Sequence, residues 1–143
     1  MDRNHRLMLI SLLTLCGIGC GPAGVKPVDL YPEDECAHCR MAISDPHFAC
    51  EIVAANGDAF KFDDIGCLEA FLNEKPQGLT VAGTFYKDYP TAAWLPSAEA
   101  TVVETGIMTP MGSGKLAFAG KTQAEEFRKQ HPPSHRAPQQ SSL

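Results

Sequence analysis

The sequence lacks the features that mark several common classes of protein. It has no surplus of basic residues, since 12 Lys and Arg stand against 17 Asp and Glu for a formal net charge of −5, and this argues against a nucleic-acid binder. Its main apolar run, residues 7–18, is too short at about a dozen residues to span a bilayer as a helix. With 143 residues, the chain is too short for a large multidomain enzyme or a solenoid. Six Cys and five His leave metal or redox chemistry open.

The first twenty residues have the pattern of a targeting signal. Arg3 and Arg6 give a basic start, the apolar run follows, and small residues precede Cys20. This pattern resembles a bacterial lipoprotein signal, which is cleaved just before a Cys that carries the lipid. We therefore expect residues 1–19 to be a signal peptide and Cys20 to be lipidated, on the periplasmic face of the inner or the outer membrane. An uncleaved amphipathic start and an ordinary secretory signal are the alternatives.

Proline-rich segments flank the part of the chain that is expected to fold. Residues 20–34 are predicted to be a lipid anchor and tether, because the segment is rich in Pro and Gly and has few bulky apolar residues. Residues 131–143 have no apolar period and are predicted to be a disordered tail. The folded part is then residues 35–130, a small core that should gain stability from a metal or a partner.

The folded part has the periodicity of short strands and two helices. Asn56-Gly57 between two apolar runs is a strong hairpin signal. Asp63 or Asp64 can cap a helix that Pro76 stops, and this role is favoured over a cation site for the two carboxylates. The predicted strands are residues 49–55, 59–62, 79–86, 100–104 and 116–118, and a second helix is predicted over residues 122–130.

A weak internal repeat relates the two halves. A shift of about 56 residues places Phe62 on Phe118 and Phe71 on Phe127, and the order strand, strand, helix recurs. The predicted fold is therefore α+β, with two small units side by side, residues 35–90 and 91–130.

The stretch Cys36-Ala-His38-Cys39-Arg-Met41 is the most informative for chemistry. Two thiols, a thioether and an imidazole form a soft ligand set, and softness selects Cu(I) over hard cations. Zinc usually takes paired Cys or His motifs, and no second Cys-x-x-Cys is present, although Cys50 or Cys67 could complete a zinc site. A structural or redox disulfide is an equal alternative on spacing alone.

A second stretch, Thr109-Pro-Met111-Gly-Ser-Gly114, places a Met in a tight loop. Met111 could cover the edge of the core, or it could present its thioether to a metal held by the first motif. Met108 is the nearby alternative. Cys50 and Cys67 lie in a predicted strand and a predicted helical turn, and both are expected to be buried as small apolar residues.

These stretches together resemble the NosL family, the lipoprotein accessory factors of nitrous oxide reductase. The matching segments are Cys36–Met41, Lys61–Leu68, Thr109–Gly112 and Lys115–Phe118. The resemblance implies two ββαβ-type units, a fold shared with organomercury lyases. It also implies a periplasmic Cu(I)-binding carrier for the copper centres of the reductase. The implied partners are a membrane transporter complex with a periplasmic subunit and the apo-reductase, with no nucleic acid.

The resemblance also implies a ligand set and exposes two departures from the family. Cys36, Cys39, Met41 and Met111 are the predicted metal ligands, and His38 is a further candidate. Arg40 stands where the family usually has Gly, and its charge is expected to keep the neighbouring thiols ionised. The chain also enters its Pro-rich tail directly after the last helix, without a final strand.

The implied function is metal transfer rather than catalysis. The alternatives are a thiol–disulfide redox lipoprotein that uses Cys36 and Cys39, a carrier for another copper enzyme, and a structural lipoprotein with paired disulfides. An oxidoreductase would normally place its Cys-x-x-Cys at the start of a helix, whereas this motif precedes a hairpin.

Overall fold

The computed structural model describes residues 24–133 of the chain. The predicted signal peptide, the predicted lipidation of Cys20 and residues 134–143 of the predicted tail lie outside this range. The elements are a 3₁₀ turn over Pro46–Phe48, strands β1 to β6, and two helices. They run β1 Cys50–Ala54, β2 Ala59–Phe62, α1 Ile65–Asn73, β3 Val81–Lys87, β4 Trp94–Pro96, β5 Thr101–Glu104, β6 Lys115–Phe118 and α2 Lys121–Gln130.

The first sheet has the order β2-β1-β3-β4, and all of its neighbouring strands are antiparallel. β1 and β2 form the hairpin that Asn56-Gly57 predicts, and Gly57 takes a left-handed φ of 92° in its turn. Every residue of the central strand β1 is buried. Helix α1 covers one face of this strand. The N-terminal segment around Val28, whose N–H donates to Glu51, covers part of the other face.

The second unit repeats the first in a shorter form. β5 pairs with β6, and α2 packs against both strands. The ring centroids of Phe62 and Phe71 lie 5.2 Å apart in the first unit, and those of Phe118 and Phe127 lie 5.3 Å apart in the second. Each pair joins the end of a strand to the following helix. These contacts confirm the predicted α+β fold with related units.

The two hairpins differ in the length of their loops. Residues 55–58 connect β1 to β2, whereas residues 105–114 connect β5 to β6, so the second loop has ten residues against four. Gly112 and Gly114 take φ values of 73° and 68° in it. This loop carries both Met108 and Met111, and it bends back toward the first unit.

Two segments that the sequence assigned to a tether and a tail are attached to the domain. Glu51 accepts a hydrogen bond from the Val28 backbone N–H at 2.8 Å, and Lys61 Nζ donates to the Asp29 carbonyl at 2.6 Å. At the other end, His131 stacks on Phe127 with ring centroids 4.2 Å apart. Val28, Asp29 and His131 therefore contact the folded domain, through polar partners on the sheet and an aromatic face. The assignment of residues 20–34 to an anchor and tether and of residues 131–143 to a tail stays a prediction.

One strand of the structure, β4, is not predicted by the sequence pattern. β4 has three residues and pairs with β3 through Trp94, Leu95 and Pro96. A strand this short that ends in Pro carries no alternation to detect, and its place at the sheet edge tolerates the Pro.

Within residues 24–133, neither helix is long and apolar enough to cross a bilayer.

Candidate metal centre

The first motif folds into a narrow loop that faces the sheet. The Cys36 N–H donates to the Met41 carbonyl at 2.8 Å, and the Arg40 N–H donates to the Cys36 carbonyl at 3.0 Å. The Ala37 N–H donates to the Lys61 carbonyl at 2.8 Å and fixes the loop to β2. The turn therefore brings the side chains of Cys36 and Cys39 to the same side of the loop.

The end of β2 and the start of α1 supply the other side of the centre. β2 ends at Phe62, Asp63 follows it, and Asp64 caps α1 by accepting a hydrogen bond from the Gly66 N–H at 2.6 Å. Asp64 thus confirms the predicted helix cap. Cys67 lies in the first turn of this helix, on its buried face.

Three thiols and one carboxylate converge at this point. The ligand atoms of Cys36, Cys39, Asp63 and Cys67 all lie within 4.8 Å of one another. We call these four residues the thiol cluster. Cys36, Asp63 and Cys67 are buried, whereas Cys39 is partly exposed. A metal ion could therefore reach the cluster at Cys39 and be enclosed by the other three groups.

Burial favours the protonated form of two thiols of the cluster, Cys39 and Cys67. Burial raises the pKa of Cys39, an effect that the hydrogen bond from the Met41 backbone opposes and that Cys36 and Asp63 strengthen. Burial and the same two neighbours also raise the pKa of Cys67. The expectation that Arg40 keeps these thiols ionised is wrong for both, because burial beside a carboxylate outweighs an exposed cation. A metal must therefore displace protons when it binds.

Within the cluster, Asp63 contacts the thiol that is open to solvent. The Cys39 Sγ lies 3.7 Å from Oδ1 and 3.6 Å from Oδ2 of Asp63. A thiol donates a weak hydrogen bond at these distances. The Asp63 carboxylate accepts this hydrogen bond and orients the Cys39 thiol at the mouth of the cluster.

The two predicted thioether ligands lie at the surface near the cluster. The side chain of Met41 is 56% exposed and that of Met111 is 46% exposed. The Met41 carbonyl pairs with Cys36, and the Met111 N–H donates to Asp64 Oδ2 at 3.0 Å. Backbone hydrogen bonds thus hold both residues, while their side chains are open to solvent. Both remain predicted ligands.

His38 and Cys50 point to other partners. His38 Nδ1 lies 3.2 Å from Oε1 of Glu74, close enough for an ion pair when the imidazole is protonated. The two atoms do not have hydrogen-bond geometry, so the buried Nδ1 has no hydrogen-bond partner among the described residues. The buried thiol of Cys50 lies 3.5 Å from the Asp64 carbonyl, and burial raises its pKa well above the usual value. Cys50 is the small buried residue that the sequence predicts.

The sequence favoured Cys67 as a buried core residue, with completion of a zinc site as the alternative, and assigned Asp63 to the helix cap. The structure buries Cys67 as expected and places both residues in the cluster. They are 28 and 24 residues from Cys39 in the chain, so no local spacing links them to the first motif. The one available signal was the pattern Asp63-Asp64-x-x-Cys67. In it, a helix cap brings the preceding carboxylate and a thiol in the first turn to the same helix end.

Comparison with known families identifies the chain. The family model NosL matches residues 27–135, which is most of the sequence. The chain belongs to the NosL family. The crystal structure of the copper chaperone NosL from Shewanella denitrificans shares the fold with a TM-score of 0.64 and 20% sequence identity. The match covers 74% of this chain and 87% of that one. No curated protein sequence matches the chain at a significant level.

Arg40 has a backbone conformation that favours Gly. Its φ of 66° lies in the left-handed region that a residue with a Cβ rarely adopts. The loop therefore has this conformation with Arg at the position. Its cost is local backbone strain at an exposed residue.

Proposed function

We propose that this protein is a Cu(I)-binding metallochaperone of the NosL family. In this proposal a lipid on Cys20 anchors it to the periplasmic face of a bacterial membrane. It binds Cu(I) and delivers it for the copper centres of nitrous oxide reductase. A membrane transporter complex with a periplasmic subunit and the apo-reductase are its protein partners. It catalyses no reaction.

The convergence of three thiols at the thiol cluster carries the proposal. Thiolates are soft ligands and favour Cu(I), which needs only two or three of them. The family match and the description of the Shewanella structure as a copper chaperone add support. The carboxylate of Asp63 makes a fourth group, so the cluster also has the ligand number of a zinc site. The first experiment must therefore compare the two metals.

The geometry suggests how a metal enters and leaves. Binding releases the protons of Cys39 and Cys67 to solvent through the exposed side of the cluster, because the raised pKa of each keeps its thiol protonated before the metal arrives. An incoming ligand can attack at Cys39, the partly exposed member, while Cys36 and Cys67 still hold the ion. The ion then passes through a shared intermediate in which ligands are exchanged one at a time and no electrons move.

The redox alternative has less support from the site. A reactive dithiol needs a thiolate of lowered pKa at the start of a helix, whereas the pKa of Cys39 is raised and its loop precedes a hairpin. Cys36, Cys39, Cys50 and Cys67 are all free thiols in the structure.

The test is an anaerobic titration of the reduced protein with Cu(I) against a chromophoric chelator, with Zn(II) as the competing metal. We expect one Cu(I) per chain. Because a ligand is lost, Cys36→Ser and Cys39→Ser should weaken binding by at least about 100-fold and Cys67→Ser by about tenfold or more. Cys50→Ala is the matched control, since it removes a buried thiol outside the cluster and should bind Cu(I) like the parent.

Two results would contradict the proposal. Equal Cu(I) affinity for Cys36→Ser and the parent would exclude the cluster as the site. Preference for Zn(II) at the same cluster, lost in the same variants, would replace the copper carrier with a zinc site. A Cys20→Ser variant that stays in the membrane fraction would contradict lipidation alone and leave the copper proposal intact.

A further inference from the structure

One carboxylate joins the loop between β5 and β6 to the start of α1. Asp64 is 1% exposed. Its Oδ1 accepts from the Gly66 N–H at 2.6 Å, and its Oδ2 accepts from the Thr109 hydroxyl at 2.5 Å and from the Met111 N–H at 3.0 Å. The same side chain therefore begins the helix that carries Cys67 and holds the loop that carries Met111.

The surrounding contacts lock this junction. The Thr109 Oγ1 also accepts from the Gly114 N–H at 3.1 Å, so the loop closes on the residue that meets Asp64. A Cβ built on Gly66 would lie 2.8 Å from the Cβ of Ser113, which shows how closely the loop approaches the helix. Burial raises the pKa of Asp64. Hydrogen bonds from Ser113, Thr109, Gly66 and Met111 more than offset that rise, so the carboxylate stays ionised.

The junction lies directly beside the thiol cluster. Asp64 follows Asp63 in the chain, and Cys67 is in the first turn of the helix that Asp64 caps. The Met111 backbone is thus fixed next to two cluster residues, while its side chain remains 46% exposed. A backbone held at this point with a solvent-exposed thioether keeps the local concentration of a soft, neutral ligand high.

We propose that Asp64 is a positioning residue that holds Met111 where its thioether can join and leave a metal bound by the thiol cluster. The proposal rests on the proposed function. Asp64 does not touch the metal. It acts through the Met111 N–H and the Thr109 hydroxyl, and its role is to keep the loop docked while the ligand exchanges.

A double-mutant cycle on the reduced full-length protein tests this role. Asp64→Asn keeps the helix cap, because Asn caps as well as Asp, but its amide NH₂ cannot accept from the Met111 N–H. We expect Met111→Leu to weaken Cu(I) binding about tenfold in the parent, a typical loss for a supporting group. In the Asp64→Asn background, the same Met111→Leu change should alter the affinity less than about twofold, because the thioether is no longer positioned.

The outcomes separate positioning from general stability. An equal Met111→Leu factor in both backgrounds, or no Met111→Leu effect in the parent, would overturn the proposal. Should Asp64→Asn unfold the protein, Thr109→Val serves instead. It removes one donor to Asp64 while keeping shape and charge, and it should shrink the Met111→Leu factor at least threefold. Retained binding in Cys36→Ser would mark failure of the proposed function itself, whereas failure of the cycle leaves thiol binding unchanged.

Discussion

At the scale of single residues, Arg40 is the position where sequence and backbone disagree. Its left-handed φ of 66° places an L side chain in a conformation that costs about 1 kcal/mol relative to Gly. The residue is exposed, its own N–H donates to the Cys36 carbonyl, and the carbonyl of its neighbour Met41 accepts from the Cys36 N–H. The strain is therefore carried by one residue, and a substitution can relieve it without moving the thiols.

We predict that Arg40→Gly raises the free energy of unfolding by about 0.5–1 kcal/mol, because Gly adopts this φ without strain. Urea unfolding monitored by circular dichroism measures the change. Arg40→Ala is the control for the lost charge, since Ala keeps the strained φ, and it should stay within about 0.5 kcal/mol of the parent. Equal stabilisation by both variants would attribute the effect to charge and contradict the backbone argument.

The sequence indicated Cys36 and Cys39 as a shared site, and it could not show that Cys67 and Asp63 join them. Cys36 and Cys39 are close in the chain, so their spacing predicts a shared site. Cys67 reaches them only because α1 starts beside the loop, and that is a property of tertiary packing. Asp63 was assigned to the helix cap because two adjacent carboxylates compete for that role, and Asp64 takes it.

At the scale of elements, β1 carries an unusual buried carboxylate. Glu51 is fully buried. Its Oε1 accepts from the Val28 N–H, and its Oε2 has no hydrogen-bond partner among the described residues. Burial raises the pKa of Glu51, although the Val28 hydrogen bond and Lys61 oppose the rise. Glu51 therefore holds the N-terminal segment with one carboxylate oxygen, while its other oxygen is buried without a hydrogen-bond partner among the described residues.

We predict a pH-dependent gain in stability for Glu51→Gln. The folded pKa of Glu51 lies above its ordinary value of 4.5. As pH rises from about 4.5 through the raised pKa, the unfolded chain therefore loses the proton first and folding loses stability. Gln has no such proton. The difference in unfolding free energy between Glu51→Gln and the parent should then become more favourable from pH 4 to pH 7.

Urea unfolding at several pH values measures this trend. Glu125→Gln is the control, since it removes an exposed carboxylate on α2 and should show a flat difference with pH. A flat difference for Glu51→Gln as well would show that the Glu51 carboxylate titrates normally in the folded protein.

The elements follow from local patterns where those patterns are complete. The Asn56-Gly57 turn and the apolar runs around it predict β2 at its observed bounds, residues 59–62. Helix α2 was predicted to begin at residue 122 and begins at Lys121. β4 was missed because its three residues reach strand geometry only by pairing with β3. The hairpin loop over residues 105–114 was expected as a turn, and its docking on Asp64 depends on contacts between units.

At the scale of the whole molecule, residues 24–34 form part of the folded domain. Val25 packs against Gly83, where an added Cβ would lie 3.1 Å from the Val25 Cγ1. Lys61 donates to both the Asp29 carbonyl and the Asp34 carboxylate at 2.6 Å. The segment therefore crosses the sheet from β3 to β2 and joins the loop that holds Cys36.

We predict that a chain starting at Leu30 is less stable than one starting at Gly24 by about 1–3 kcal/mol, because Glu51 and Lys61 lose backbone partners. Chemical unfolding of the two chains measures the loss. Their Cu(I) affinity should be equal, because the shorter chain keeps all four residues of the thiol cluster. A loss of affinity in the shorter chain would show that the segment supports the metal centre as well.

If Cys20 carries the proposed lipid, docking of this segment limits how far the metal can travel from the bilayer. Only eight residue-to-residue steps then separate the lipidated Cys20 from Val28, whose N–H donates to Glu51. Fully extended, they reach at most about 28 Å. Copper would then be exchanged only within a thin layer next to the headgroups. A recipient would have to enter that layer, rather than wait for a carrier that ranges across the whole compartment.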